Sequence, residues 1–218
     1  MQGLPPLFFT PTAPRLPPAR EWLAKPTQNE RTSSAKDYEA MPVRLIVEKG
    51  PYAGVSRADV ARRARAMLET IQMKDRELSI LLTDDDQIQK LNRIYRKKNQ
   101  PTDVLAFSQH EGEHGDPASR LLGDVVISIP TARRQAAGRK RDLASEVTML
   151  LAHGLLHLLG WDHETLEADR RMRAETKRLC AAASAAACAP RVTSRVKGRI
   201  APRANGDSIA RRASRTAR

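Results

Sequence analysis

Cysteine is almost absent from this sequence. The two present, Cys180 and Cys188, lie beside and inside a low-complexity stretch. Neither a disulfide framework nor a cysteine-built zinc ribbon can therefore organise the fold, and a reducing compartment is expected. Also missing is any run of the roughly 18 to 20 apolar residues that a membrane-spanning helix requires, which argues against an integral membrane protein. No internal repeat is visible. Negative charge is in deficit: 25 Asp and Glu face 38 Lys and Arg, a net charge of +13. Such an excess favours an acidic partner such as nucleic acid. With 218 residues the chain has room for one domain plus flanks.

Both ends lack a core-forming pattern. Residues 1–41 carry proline runs such as Leu4-Pro5-Pro6 and Leu16-Pro17-Pro18 and show neither a helix nor a strand period, so they are expected to be disordered. A secretory signal does not fit, because no basic residue precedes the short apolar stretch Leu4 to Phe9 and Pro5 and Pro6 interrupt it. The absence of acids from the first twenty residues leaves a transit peptide open, and the plainer alternative makes Met41 the true start. At the far end, Ala181 to Ala189 is nearly all alanine. Nine Lys and Arg then face the single Asp207, without one Phe, Tyr or Trp. A tail of this kind, residues 181–218, attracts phosphate through charge and cannot stack on bases, so sequence-blind adhesion to RNA is expected of it. The competing reading is a solvated segment with no partner.

Residues 42–180 intermix strand and helix signals and predict a single α/β (α+β) domain with a central mixed sheet packed by helices. Val43 to Glu48 alternates as a strand, and Ser56 caps a helix carrying Val60, Ala64, Met67, Leu68 and Ile71. Glu77 to Thr83 reads as a buried strand. Asp84-Asp85-Asp86 then opens a helix that ends in Arg96-Lys97-Lys98, acid first and base last, as the helix dipole prefers. Short strands follow at Val104 to Phe107 and Leu121 to Ile129, and Pro130 opens a basic helix. The last two helices are read at Leu143 to Leu159, apolar almost all round and so buried, and at Glu164 to Cys180.

The chemistry concentrates in the run His153-Gly154-Leu155-Leu156-His157-Leu158-Leu159-Gly160-Trp161-Asp162-His163, which holds three of the five histidines. Residues i and i+4 of a helix stand on one face, so the imidazoles of His153 and His157 can reach one metal ion. Gly160 can take the left-handed conformation that ends a helix and let the chain double back with His163. Three nitrogens leave one coordination position open, the mark of a catalytic zinc, whereas a fourth protein ligand marks a structural one. Asp162 is a candidate for orienting a ligand imidazole, or simply a turn aspartate. His110 and His114 fall in a loop rich in glycine and acids and are read as solvated. Asp103 and Asp124 are read as closing hydrogen bonds rather than handling protons.

The spacing matches the metzincin pattern H-E-x-x-H-x-x-G-x-x-H except that Gly154 stands where those proteases place their general base. Peptide hydrolysis by that route lacks its proton acceptor. A phosphodiester asks instead for positive charge around its oxygens, which a metal and a nearby arginine can supply.

The same run resembles the metal signature of the YbeY family of endoribonucleases. Two further blocks agree: Leu91-Asn92-x-x-Tyr95-Arg96-x-x-Asn99-x-Pro101-Thr102-Asp103-Val104-Leu105-x-Phe107, and Leu122-Gly123-Asp124. The resemblance covers about 41–180. Asn99 replaces the usual Asp and Ala106 the usual Ser, and neither touches a metal ligand. What the resemblance implies is one zinc per chain, held by His153, His157 and His163, and a functional arginine at Arg96 that grips a phosphate. It further implies a single-strand endoribonuclease acting in ribosomal RNA maturation (16S-type 3′-end processing) and ribosome quality control, with RNA and ribosomal particles as partners in a bacterial cytoplasm. Taken alone, the position of Arg96 in a last helical turn proves nothing, since basic residues are favoured there anyway. Two other readings stay open: a metalloprotease, and a non-catalytic ribosome assembly factor with structural zinc.

Overall fold

The computed structural model describes residues 42–110 and 119–188. The proline-rich segment, His114 and the basic stretch from 189 onward lie outside the described residues, and with them the expectations of disorder. In chain order the elements are β1 (Val43–Val47), α1 (Arg57–Thr70), β2 (Glu77–Thr83), α2 (Asp85–Arg96), β3 (Val104–Ser108), β4 (Leu121–Ser128), α3 (Ile129–Gly138), α4 (Leu143–Leu158) and α5 (Leu166–Cys188). The sheet order is β1-β2-β4-β3. The first three strands are parallel, and β3 joins the edge antiparallel to β4.

Alternation along each strand divides the side chains between two faces. Leu78, Ile80, Leu82, Val125 and Ile127 pack with α1 and α4 in the larger core, whereas Leu81, Leu105 and Val126 meet Ile88 and Leu91 of α2 on the other face. Helix α5 docks on α1 and α4 through Met172, Leu179 and Ala183. No helix among the described residues is long and apolar enough to cross a membrane.

Most helices start where a side-chain oxygen satisfies an orphan amide of the first turn. Ser56, Asp84, Ser128 and Asp142 accept from the N–H groups of Asp59, Gln87, Thr131 and Ser145 respectively. The amphipathic pattern of α1 buries Val60, Ala64, Met67 and Leu68, the residues the 3.6 period selects. One boundary differs from the sequence reading. Helix α5 does not stop at Cys180 but runs to Cys188, with Ala183 fully buried and the Ala187 carbonyl accepting from Arg62 Nη1 at 3.1 Å. Alanine is the strongest helix former, and its small side chain lets α5 approach α1 closely.

Candidate metal centre

Helix α4 lies across β3 and β4 with Gly154 at the point of closest approach. A Cβ there would stand 2.8 Å from Val125 Cγ1 and 3.2 Å from Val104 Cγ2. Position 154 therefore faces the sheet and has no room for a larger side chain. His153 and His157 sit half-buried on the flank of the same helix. Their Nε2 atoms lie 3.2 Å apart.

The end of α4 brings in the third imidazole. The N–H of Gly160 donates to the His157 carbonyl at 3.1 Å and that of Trp161 to the Leu156 carbonyl at 3.1 Å. Gly160 takes φ 77°, the left-handed conformation the sequence reading required of it. The reversed chain places the ring of His163 at 5.7 Å from that of His153 and 5.3 Å from that of His157, centroid to centroid. One ligand nitrogen from each of the three falls within 4.8 Å of the others, and no fourth His, Cys, Asp or Glu among the described residues joins them.

This donor set suits a metal ion. Two nitrogens bound at roughly 2.0–2.1 Å to a tetrahedral zinc stand about 3.3 Å apart, close to the spacing of the His153 and His157 Nε2 atoms. Electrostatics agree, because a ligand imidazole must be neutral. Burial, followed by the His163 ring, pulls His153 below its ordinary value, against the charge of Asp103. Burial likewise lowers His157 to about 4, assisted by His153, His163 and Arg96. At neutral pH both rings offer lone pairs.

Arg96 is exposed in the last turn of α2. Lys97 ends that helix at φ 58°, and the N–H of Lys98 donates back to the Asn92 carbonyl at 3.2 Å. Buried Asn92 holds the following loop through its Nδ2, which donates to the Gln100 carbonyl at 2.8 Å. Helices α2 and α4 cover opposite faces of the sheet, and both pack on edge strand β3. Across that edge the Arg96 charge is felt at His157.

The remaining candidates have simpler roles. Asp103 accepts from the Val104 N–H at 2.8 Å, from Thr102 Oγ1 at 3.2 Å and from Gln135 Nε2 at 2.9 Å, which closes its turn as expected. Its effect on His153 was not legible in the sequence. Asp162 is exposed and accepts from the Glu164 N–H at 3.3 Å, a turn contact. His110, expected to be solvated, is instead half-buried with its ring meeting the Ser119 carbonyl at 3.2 Å, and it does not join the triad. Sequence reasoning also missed Glu146, fully buried two turns before His153 on the same helix and ion-paired with Arg139. Only its seven-residue spacing from His153 pointed to that face.

The sequence is similar to known proteins. The family model described as Endoribonuclease YbeY matches residues 52–184. The chain is 50% identical over 116 residues to the Endoribonuclease YbeY of Myxococcus xanthus, spanning 53% of this chain and 40% of that protein. It is 48% identical over 111 residues to the protein of that name from Synechococcus sp., 49% of this chain and 68% of the relative. The counterpart from Anaeromyxobacter dehalogenans is 47% identical over 135 residues, 62% of this chain and 67% of the relative. These three matches span from 40% to 68% of the relatives' own lengths.

Proposed function

Since this chain belongs to the YbeY endoribonuclease family, we propose that it cleaves single-stranded RNA phosphodiesters at the site formed by His153, His157, His163 and Arg96, with one zinc ion per chain as cofactor. The observation that carries this reading is the convergence of three imidazole nitrogens within 4.8 Å with no fourth ligand among the described residues, an arrangement that leaves a coordination position for substrate or water. When bound, zinc supplies Lewis-acid charge to the scissile phosphate.

The protein's own groups do the positioning. The half-buried imidazoles of His153 and His157 are fixed by α4, and the exposed His163 is brought to them by the hydrogen-bonded reversal at Gly160, so the donor set is assembled before any substrate arrives. Arg96, exposed and always charged, grips a non-bridging phosphate oxygen and stabilises the charge that develops in the transition state. Gly154 supports RNA over peptide as substrate, because position 154 packs against Val125 and cannot carry the glutamate base of a metalloprotease. Ribosomal RNA maturation in the bacterial cytoplasm, including processing of the 3′ end of 16S-type RNA, is the biological setting we infer.

The test is cleavage of a labelled ribosomal RNA fragment by wild type beside His157→Ala, with metal content determined on both. Cleavage by the zinc-loaded wild type alone is expected. RNA binding by both without cleavage by either would favour an assembly factor with structural zinc.

A further inference from the structure

A groove of about 800 Å³ opens between α4 and α5 and runs up to His153 and His163. Its walls carry Arg139, Arg141, Arg173 and Lys177, together with Met149 and Met172. Resting on the reading of the triad as the place of RNA cleavage, we propose that this groove is the track for the RNA strand on one side of the scissile phosphate, held through its phosphates rather than its bases.

Charge supports this occupant. Arg139 and Arg141 share one carboxylate, that of buried Glu146, with Arg141 Nη1 at 3.6 Å from Oε2. Two guanidinium groups on one acid leave a net positive charge, and both side chains are still more than 40% exposed. Arg173 pairs with Asp169 one turn earlier on an exposed helix face, the kind of ion pair that contributes little in water and yields readily to a phosphate. Lys177, one turn further along α5, makes no ion pair among the described residues. The groove thus gathers four cations against two acids, Glu146 and Asp169.

Shape and lining set the mode of recognition. From Ser145 to His153 the α4 wall extends about 12 Å at 1.5 Å per residue, room for a short stretch of strand leading to the triad. Among the described residues no Phe, Tyr or Trp lines the groove, so bases find no stacking platform there. An acidic peptide would meet the same cations, but position 154 cannot carry the glutamate base that would cut it at the triad.

The experiment measures binding of a labelled 2′-O-methyl oligouridylate, which keeps every phosphate and resists cleavage, to the metal-loaded full chain over a range of salt. The groove pair Arg173→Ala with Lys177→Ala is compared with Lys74→Ala with Arg171→Ala, which removes equal charge from surfaces outside the groove. The groove pair is expected to weaken binding about tenfold and to make the slope of log K on log salt shallower by about 1.4, roughly 0.7 per phosphate released by single strands. The control pair should retain most of the wild-type slope. An unchanged slope in the groove pair, or an equal loss in the control, overturns the track while leaving cleavage at the triad intact. Wild type that neither binds this oligonucleotide nor cuts ribosomal RNA overturns both.

Discussion

The Nε2 atoms of His153 and His157 face each other at 3.2 Å across one helical turn. Two ring nitrogens that close accommodate one proton or one metal ion between them, and two protonated rings would repel. Zinc is therefore expected to raise the melting temperature of the wild type, since a ligand that binds only the folded state stabilises it. His157→Ala should lose that rise along with stoichiometric zinc in equilibrium dialysis. A metal-dependent rise that survives in the variant would remove the triad from metal binding.

Arg96 acts on the phosphate in our reading and touches none of the candidate ligands. Arg96→Ala should keep wild-type zinc content and lose turnover by about 10²–10³-fold, the typical cost of removing one preorganised transition-state donor. Arg96→Lys should recover only part of it, because a point charge lacks the planar fork. Wild-type kcat in the alanine variant would exclude Arg96 from the mechanism.

Gly154 and Gly138 make a controlled pair. A methyl at 154 meets Val125 Cγ1 at 2.8 Å, whereas a methyl at 138 meets nothing within 4 Å. Gly154→Ala should destabilise the fold by about 1–3 kcal/mol through overpacking, and Gly138→Ala should be neutral or slightly stabilising. Urea midpoints decide. Equal midpoints for the two variants would mean that α4 does not sit as close to β3 and β4 as described.

The parts of this site that were legible in the sequence are those that local rules govern. The i, i+4 spacing of His153 and His157 follows from helix geometry, and the reversal at Gly160 follows from glycine's tolerance of positive φ. The relation of Arg96 to the triad is not local. It arises because β3 takes the sheet edge antiparallel to β4, and residue spacing does not encode that choice. Glu146 was invisible for a similar reason, since a carboxylate in the first turn of a helix is ordinarily a dipole partner on the surface. Here it is buried and shared by two arginines. The alanine-rich stretch after Cys180 looked like tail because it has few bulky apolar groups, yet packing against α1 favours small ones.

That packing separates two truncations. Removing residues 189–218 leaves α5 whole, with Leu179 and Ala183 buried and the Ala187 carbonyl still bound by Arg62. Wild-type stability is expected, with weaker RNA binding and a shallower salt slope, because nine Lys and Arg leave with one Asp. Removing residues 181–218 also strips Ala183 and the Arg62 contact and should cost about 1 kcal/mol or more. An unaltered salt slope in the shorter deletion would reduce the basic segment to a solvated tail.

Asp124 supplies a pH dependence of its own. It sits within β4, paired in register with Ser79 of β2, and neither carboxylate oxygen makes a hydrogen bond of normal geometry. Burial pushes its carboxyl up to about 6 from an ordinary 3.8, only partly offset by the Ser79 hydroxyl and the Arg44 charge. Between those values the folded chain holds a proton that the unfolded chain releases. The stability contributed by this group is therefore fully present below about pH 4 and is lost as the pH rises through about 6. A shift of this size corresponds to about 3 kcal/mol. Asp124→Asn keeps the shape and cannot ionise, so it should match the wild type near pH 4 and exceed it at pH 8 by about 1–3 kcal/mol in urea unfolding. Parallel stability curves for the two proteins across that range would show that Asp124 is not ionised at a cost in the folded state, and the buried carboxylate would then need a partner closer than Ser79.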